Sequence, residues 1–220
     1  MVFDIDQKKI SKCKEGQMPI FEPNLEETMS KVHNKNLTFS TDISFALTKA
    51  SVVFLALPTP TKTWGENSGK AYDLSYTERG VSDIIEFYNQ NPDKIQDKVV
   101  IVEKSTVPIG TAQMITRIIH AVSIPENKDK YVVASNPEFL AEGSAIKDLM
   151  TPDRVVLGVR EEDDVSKLVQ LYNYTKDRVI KTNQSSSELS KLVANCFLAQ
   201  RVSSINSIAI LCEEYQADVK

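Results

Sequence analysis

Three apolar runs that each stop in a polar cluster constrain the fold of this chain more than any other feature. Residues 51–57, 99–102 and 131–134 are almost entirely apolar. They run into Pro58-Thr59-Pro60-Thr61, Lys104-Ser105-Thr106-Val107-Pro108 and Ser135-Asn136-Pro137-Glu138. Runs without alternation predict parallel strands covered on both faces. Helical periodicity over residues 74–88 and 111–121 separates them, so the pattern is βαβ, with a parallel sheet and right-handed crossovers. Ligands bind such sheets beyond the carboxyl ends of the strands, and the three clusters are predicted to meet in one crevice there.

The third cluster carries the most chemistry. Pro137 disfavours helical geometry at Asn136 and ends the strand; Glu138 and Glu142, four residues apart, are predicted to share one face of a short helical turn. Two carboxylates at a strand end suit ligand or proton chemistry. The competing reading is a solvated helix start whose acidic residues complement the helix dipole.

Elsewhere the sequence predicts short strands over residues 1–5, 37–39, 155–158 and 179–180, and helices over 7–14, 26–32, 41–49 and 164–174. From residue 185 the character changes. Ser185 and Glu188 fit a capping box, and Leu189, Leu192, Val193, Cys196, Phe197, Ile205, Ile208, Ala209 and Cys212 recur at helical spacing without Pro or Gly. A helix of about 28 residues is on the order of 40 Å long, more than one small sheet can cover, so it is predicted to connect domains or subunits. Lys191 and Asn195 lie four apart, off that stripe. The chain thus divides into residues 1–184 and a long helix over 185–220.

Composition narrows the function. With 220 residues, 25% of them charged, and a formal net charge of -4, the chain has no Lys/Arg-rich run and no electrostatic footprint for nucleic acid. No apolar segment approaches the ~20 residues that span a bilayer. Met1-Val2-Phe3-Asp4 does not open a signal peptide, which predicts a cytoplasmic protein. Cys13, Cys196 and Cys212 lack metal-ligand spacing and read as reduced thiols, with Cys196 and Cys212 expected in a core and no metal expected. None of the seven glycines forms a G-x-G-x-x-G loop.

The motifs themselves, Pro60-Thr61-Lys62-Thr63, Glu103-Lys104-Ser105-Thr106-Val107-Pro108, residues 135–149, Pro152-Asp153-Arg154-Val155, and Ser187-Glu188-Leu189-Ser190-Lys191-Leu192 with Ala194-Asn195, resemble the UDP-glucose/GDP-mannose dehydrogenase family in the same order and spacing. Within it they look more like the UDP-glucose 6-dehydrogenases. The resemblance implies an α/β fold with a Rossmann-type, doubly wound, mostly parallel sheet, followed by a long helix used in dimerisation. It also implies NAD as cofactor, UDP-glucose as substrate, and two hydride transfers through a cysteine-bound thioester to UDP-glucuronate. By the same resemblance Glu138 is expected to activate the hydrolytic water with help from Thr106, and Lys191 and Asn195 to stabilise an oxyanion at C6. Phe139, Leu140 and Ala141 would line the sugar nucleotide's site, with Glu142 on the nicotinamide side. Asp4 would accept the adenosine ribose hydroxyls, Lys9 stands where the family has Arg, and Leu57, Pro58, Thr59, Pro60, Thr61, Ser105, Thr106 and Val107 would line NAD.

This sequence departs from the family in several places. Asn24 stands for a Gly after Pro23, and Pro58 for an Asn, which removes a backbone donor. The first strand of the 3-2-1-4-5-6 order, its phosphate loop and the nucleophilic Cys are not matched. The strands of Asp4 and Ser51 are therefore expected to carry unpaired edges. Two readings follow: part of an NAD-dependent UDP-glucose 6-dehydrogenase that is inactive by itself, or a non-catalytic homologue serving as a structural or binding subunit. Either reading uses the long helix for homo-oligomer or hetero-assembly contacts.

Overall fold

In the computed structural model, which describes residues 1–95 and 97–219 without the side chain of residue 176, the most apolar runs form the centre of the sheet. In chain order the first elements are β1 (Val2–Phe3), α1 (Gln7–Lys14), α2 (Leu25–Val32), β2 (Phe39–Ser40), α3 (Ile43–Leu47), β3 (Val52–Leu55) and α4 (Ser75–Gln90). Then come β4 (Val99–Glu103), α5 (Thr111–Val122), β5 (Tyr131–Ser135), α6 (Ala145–Met150) and β6 (Val155–Gly158). The last are α7 (Ser166–Gln170), β7 (Val179–Thr182) and α8 (Gln184–Glu214). The strands form a two-stranded sheet, β1-β2, and a five-stranded sheet, β3-β4-β5-β6-β7. Every pairing is parallel except β5 with β6.

All five residues of β4 and of β5 are buried. Their side chains alternate between faces with the two-residue period of a strand. Val99, Ile101, Tyr131 and Val133 pack with Ile85 and Tyr88 of α4 and Ile115 and Ile119 of α5. Val100, Val102, Val132 and Ala134 pack with Leu157, Leu168 and Tyr172. β1 and β3 each have one neighbouring strand among the described residues, as the unmatched first strand led one to expect. Contrary to the expectation from its apolar run, β3 is not covered on both faces: as an edge strand it leaves Phe54 40% exposed. The small sheet is held to the large one partly through α3, which packs on β1, β2 and α4 and whose Leu47 carbonyl accepts from Tyr88 Oη at 3.0 Å.

Several boundaries differ from the sequence reading. The helix expected over residues 164–174 breaks into α7 and a 3-10 segment, Asn173–Arg178, with Thr175 non-helical. The long helix starts at Gln184, capped by the Asn183 side chain on the Ser186 amide, and ends at Glu214; Lys220 lies outside the described residues. The Ser185–Glu188 capping box therefore does not form, because Glu188 is turned toward α5. At 31 residues α8 is about 46 Å long, yet among the described residues only Gln184, Ser187 and Glu188 are buried in it. Consequently Cys196 is exposed and Cys212 half-buried rather than core, while Cys13 is buried.

That docking requires a bare backbone at the end of β6. A Cβ on Gly158 would lie 2.4 Å from Ser187 Cβ and 2.9 Å from the Gln184 Cα. Gly158→Ala is expected to cost about 1–3 kcal/mol in urea unfolding and to displace the first turn of α8. At Asn24 the backbone is left-handed, φ 67°, which accounts for the usual Gly there. Asn24→Gly should leave the unfolding midpoint nearly unchanged, whereas Asn24→Val should cost about 1–2 kcal/mol.

Candidate active site at the strand ends

The three polar clusters do meet. Ser105 Oγ donates to the Leu57 carbonyl at 2.7 Å and Thr59 Oγ1 to the Thr106 carbonyl at 2.8 Å, which ties the first cluster to the second. The second meets the third where the Asn136 amide donates to the Glu103 carbonyl at 2.8 Å and Lys104 Nζ to the Asn136 carbonyl at 3.1 Å. Asn136, 1% exposed, also donates from Nδ2 to the Val156 carbonyl at 2.9 Å and accepts from Tyr172 Oη at Oδ1. A buried amide with its groups paired in this way fixes where the chain leaves the sheet.

Beyond it, residues 138–142 are irregular, so Glu138 and Glu142 do not share a helical turn. The amides that a helix would bond to its own carbonyls go instead to carboxylates: Ala141 to Asp148, and Gly143 and Ala145 to Glu22. Gly143, at φ 87°, completes the break. Glu138, Ala141 and Glu142 are exposed, and Phe139 and Leu140 half-buried. The Phe139 ring has Arg154 Cζ at 4.3 Å and Lys191 Nζ at 5.6 Å from its centroid, within cation–π range.

A cavity of about 410 Å³ opens beside this segment, lined by Glu138, Phe139 and Leu140 together with Lys104, Arg154 and Tyr172, among others. Of the predicted residues, Lys191 approaches Phe139 from α8, Asn195 is exposed one turn further on, and Thr106 sits half-buried on the loop after β4. Lys104, Arg154 and Tyr172 had no predicted role. The first two lie in motifs already singled out, whereas nothing local marks Tyr172, which arrives from beyond α7. Burial disfavours the Lys104 ammonium and brings its pKa below the ordinary lysine value, against the pull of Glu138 and Glu103 and with a small push from Lys191.

At the small sheet, Asp4 and Lys9 pair at 2.6 Å, and the other Asp4 oxygen accepts from the Asp6 amide at 3.0 Å. Partial burial opposes ionisation of Asp4, but the Lys9 and Asp6 contacts outweigh it and hold the pKa below the ordinary aspartate value. Among the other predicted cofactor residues, Leu57, Thr59 and Ser105 are half-buried, Pro58, Pro60 and Thr61 exposed, and Val107 buried.

Behind the site lies a pair of buried acids. Glu188 accepts from the Gly110 amide at 2.6 Å and the Ala112 amide at 2.7 Å, at the start of α5. Glu103, 1% exposed, has no partner of good geometry for either carboxyl oxygen. Burial, reinforced by Glu188, pushes its pKa up to about 8, although Lys104 and the nearby Ser105 amide favour the charged form. The Ser105 amide lies on that side of Glu103 without completing a hydrogen bond. Among the described residues no group of three or more His, Cys, Asp or Glu is arranged to hold a metal ion, and no helix is long and apolar enough to cross a membrane.

Comparison with known proteins places this geometry in context. Residues 1–176 match the NAD binding domain of the UDP-glucose/GDP-mannose dehydrogenase family, and residues 185–220 its central domain. The chain is 45% identical to UDP-glucose 6-dehydrogenase of Rattus norvegicus, over 100% of this chain and 44% of that protein. UDP-glucose 6-dehydrogenase 4 of Oryza sativa subsp. japonica is 44% identical, with 100% and 45% covered. The chain thus spans less than half the length of the curated relatives it matches. Among solved structures, a UDP-glucose dehydrogenase from the hyperthermophilic archaeon Pyrobaculum islandicum superposes with a TM-score of 0.86 at 28% identity, covering 99% of this chain and 48% of that one. A ternary complex of GDP-mannose dehydrogenase from Pseudomonas aeruginosa gives 0.79 at 26% identity, with 99% and 48% covered.

The buried acid gives the site a pH signature. Its folded pKa, about 8, lies above its ordinary value of 4.5, so the folded state retains a proton that the unfolded chain releases between the two. Glu103's contribution to stability is therefore complete below about pH 4.5 and is lost as pH rises through about 8. Glu103→Gln, which mimics the neutral acid, should remove that slope. Urea unfolding from pH 4.5 to 9 should show the variant gaining on the parent by on the order of 4 kcal/mol, at ~1.4 kcal/mol per pKa unit. Parallel profiles would show that Glu103 ionises freely.

Proposed function

The chain belongs to the UDP-glucose/GDP-mannose dehydrogenase family, and from that premise we propose that it forms the cofactor side of an NAD-dependent UDP-glucose 6-dehydrogenase, which oxidises the C6 alcohol of UDP-glucose to a carboxylate. The observation that carries this reading is a cavity lined by Glu138 and Phe139 at the carboxyl ends of parallel strands, with Lys191 of α8 reaching the Phe139 ring.

The residues present fit NAD at the adenosine end. Each Asp4 oxygen accepts one hydrogen bond and keeps acceptor capacity for ribose hydroxyls, while Lys9 holds the carboxylate in place. Leu57, Pro58, Thr59, Pro60 and Thr61 with Ser105, Thr106 and Val107 then flank the cofactor's path along the strand ends. NAD, when bound, supplies the hydride acceptor. Lys191 and Asn195 are the donors that stabilise negative charge at the C6 oxygen, and such preorganised donors are commonly worth 10²–10³ in rate. Glu138, exposed at the cavity, accepts the proton of the attacking water, which the Thr106 hydroxyl orients. Phe139, Leu140 and Ala141 contact the sugar nucleotide, and Glu142 faces the nicotinamide. The exposed apolar residues of α8, among them Phe197, Val202, Ile205 and Ile208, support self-association or hetero-assembly through that helix. Three unpaired cysteines suit a reducing, cytoplasmic setting.

The reading is tested by a chimera in which these 220 residues replace the matching segment of the rat relative. The chimera is expected to form UDP-glucuronate, and Glu138→Gln within it to lower kcat by about 10²–10⁴. The 220-residue chain alone is expected to reduce no NAD with UDP-glucose, since none of its three cysteines matches the family's nucleophile. A folded chimera that binds both ligands and yields no product would instead favour a non-catalytic subunit.

A further inference from the structure

Glu22 lies on the loop between α1 and α2, far in sequence from the candidate site, yet its carboxylate is spent there. Oε2 accepts from the Gly143 amide at 2.9 Å and Oε1 from the Ala145 amide at 2.7 Å, across more than 120 residues of chain. The side chain belongs to a residue only 9% exposed. Both bonds are charge-assisted, the stronger kind of hydrogen bond. A rigid turn delivers the carboxylate: Pro23 follows it with a fixed φ, and Asn24 then takes a left-handed conformation before α2 begins.

The segment it grips lacks regular structure, although Asn136 at its start is bonded into the sheet and Phe139 lies against Arg154 and Lys191. Residues 136–140 form neither helix nor strand, and the chain reverses at Gly143. The Asp148 carboxylate takes the Ala141 amide at 3.1 Å and the Ser144 hydroxyl at 2.8 Å, so it anchors the loop only to its own helix, α6. Glu22 anchors the same loop to a different part of the molecule. The loop of Glu22 follows α1, which packs on β2 and is capped by Asp6, the residue whose amide also donates to Asp4. We propose that Glu22 is a positioning residue which fixes residues 139–142 against the lobe that carries Asp4, and so sets the sugar-facing segment relative to the cofactor-facing acid. The contact itself stands on geometry; the words sugar-facing and cofactor-facing rest on the function proposed above.

Two measurements decide it. Amide hydrogen exchange, followed by NMR on the 220-residue chain, should show Gly143 and Ala145 exchanging at least tenfold faster in Glu22→Gln, with Ile101 and Val133 in β4 and β5 unchanged. Glu22→Asp, which keeps the charge but is one methylene shorter, should lose protection at one of the two amides, and it serves should Glu22→Gln fail to fold. Glu26→Gln, on the exposed part of α2, should change nothing. Unaltered protection at Gly143 and Ala145, or equal acceleration throughout β4 and β5, would overturn the proposal. In the chimera, Glu22→Gln should raise KM for UDP-glucose at least fivefold while kcat stays within twofold. An unchanged KM in an active chimera would reduce Glu22 to a structural tie and also overturn it. If the unsubstituted chimera has no activity, the dehydrogenase reading fails by itself, and the exchange pattern still decides the positioning role.

Discussion

One carboxylate, that of Glu188, ties the start of α8 to the first turn of α5 by two short hydrogen bonds. The amides of a helix's first turn have no partner within the helix, and a buried helix start must find one elsewhere. Glu188 supplies it from 76 and 78 residues further along the chain. Three more contacts complete the seat: Gln184 Nε2 on the Val133 carbonyl at 2.7 Å, the Ser135–Ser187 hydroxyl pair at 3.1 Å, and the bare Gly158 beneath them. Once the first turn is fixed, helical spacing carries Lys191, three residues beyond Glu188, to the Phe139 ring. The candidate oxyanion donor is thus placed by a structural carboxylate that never touches the cavity.

The same device recurs where the chain leaves β4 and β5. Glu188 serves α5, Glu22 serves Gly143 and Ala145, and Asp148 serves Ala141. The amides they take all follow Pro108 or Pro137, whereas the cluster after β3 is held by the Thr59 and Ser105 hydroxyls. Glu103 is the exception, an acid in the same neighbourhood with no amide of its own. Its neutral form is the one that suits a buried position beside Glu188, since a second charge there would meet both burial and repulsion.

Much of this was legible in the sequence. The apolar runs at 99–102 and 131–134 led to the central strands, and the polar clusters that end them do meet, because strand ends in a parallel sheet necessarily share a side. The cavity's partners were less accessible. Glu188 reads as half of a capping box with Ser185, and only the fold reveals that Asn183 caps α8 and frees Glu188 for α5. Glu22 reads as one acid in a loop, because nothing local records an amide 121 residues away. The pair Glu138 and Glu142 misled for a related reason: four-residue spacing matters only if the intervening backbone is helical, and side chains from elsewhere take the hydrogen bonds that would have made it so. Burial of Cys196 failed because a helical stripe records what a helix could bury, not what lies beside it.

Charge at the cavity then follows from burial rather than from the number of ionisable groups. Lys104 is held by the Asn136 carbonyl in a place that disfavours its ammonium. With Glu103 kept neutral up to about pH 8, Glu138 is the remaining carboxylate among the groups that favour a charged Lys104. Glu138, exposed beside the cavity, is therefore the counter-charge for the lysine behind it, and the proton-acceptor role proposed for it has to be exercised next to that ammonium.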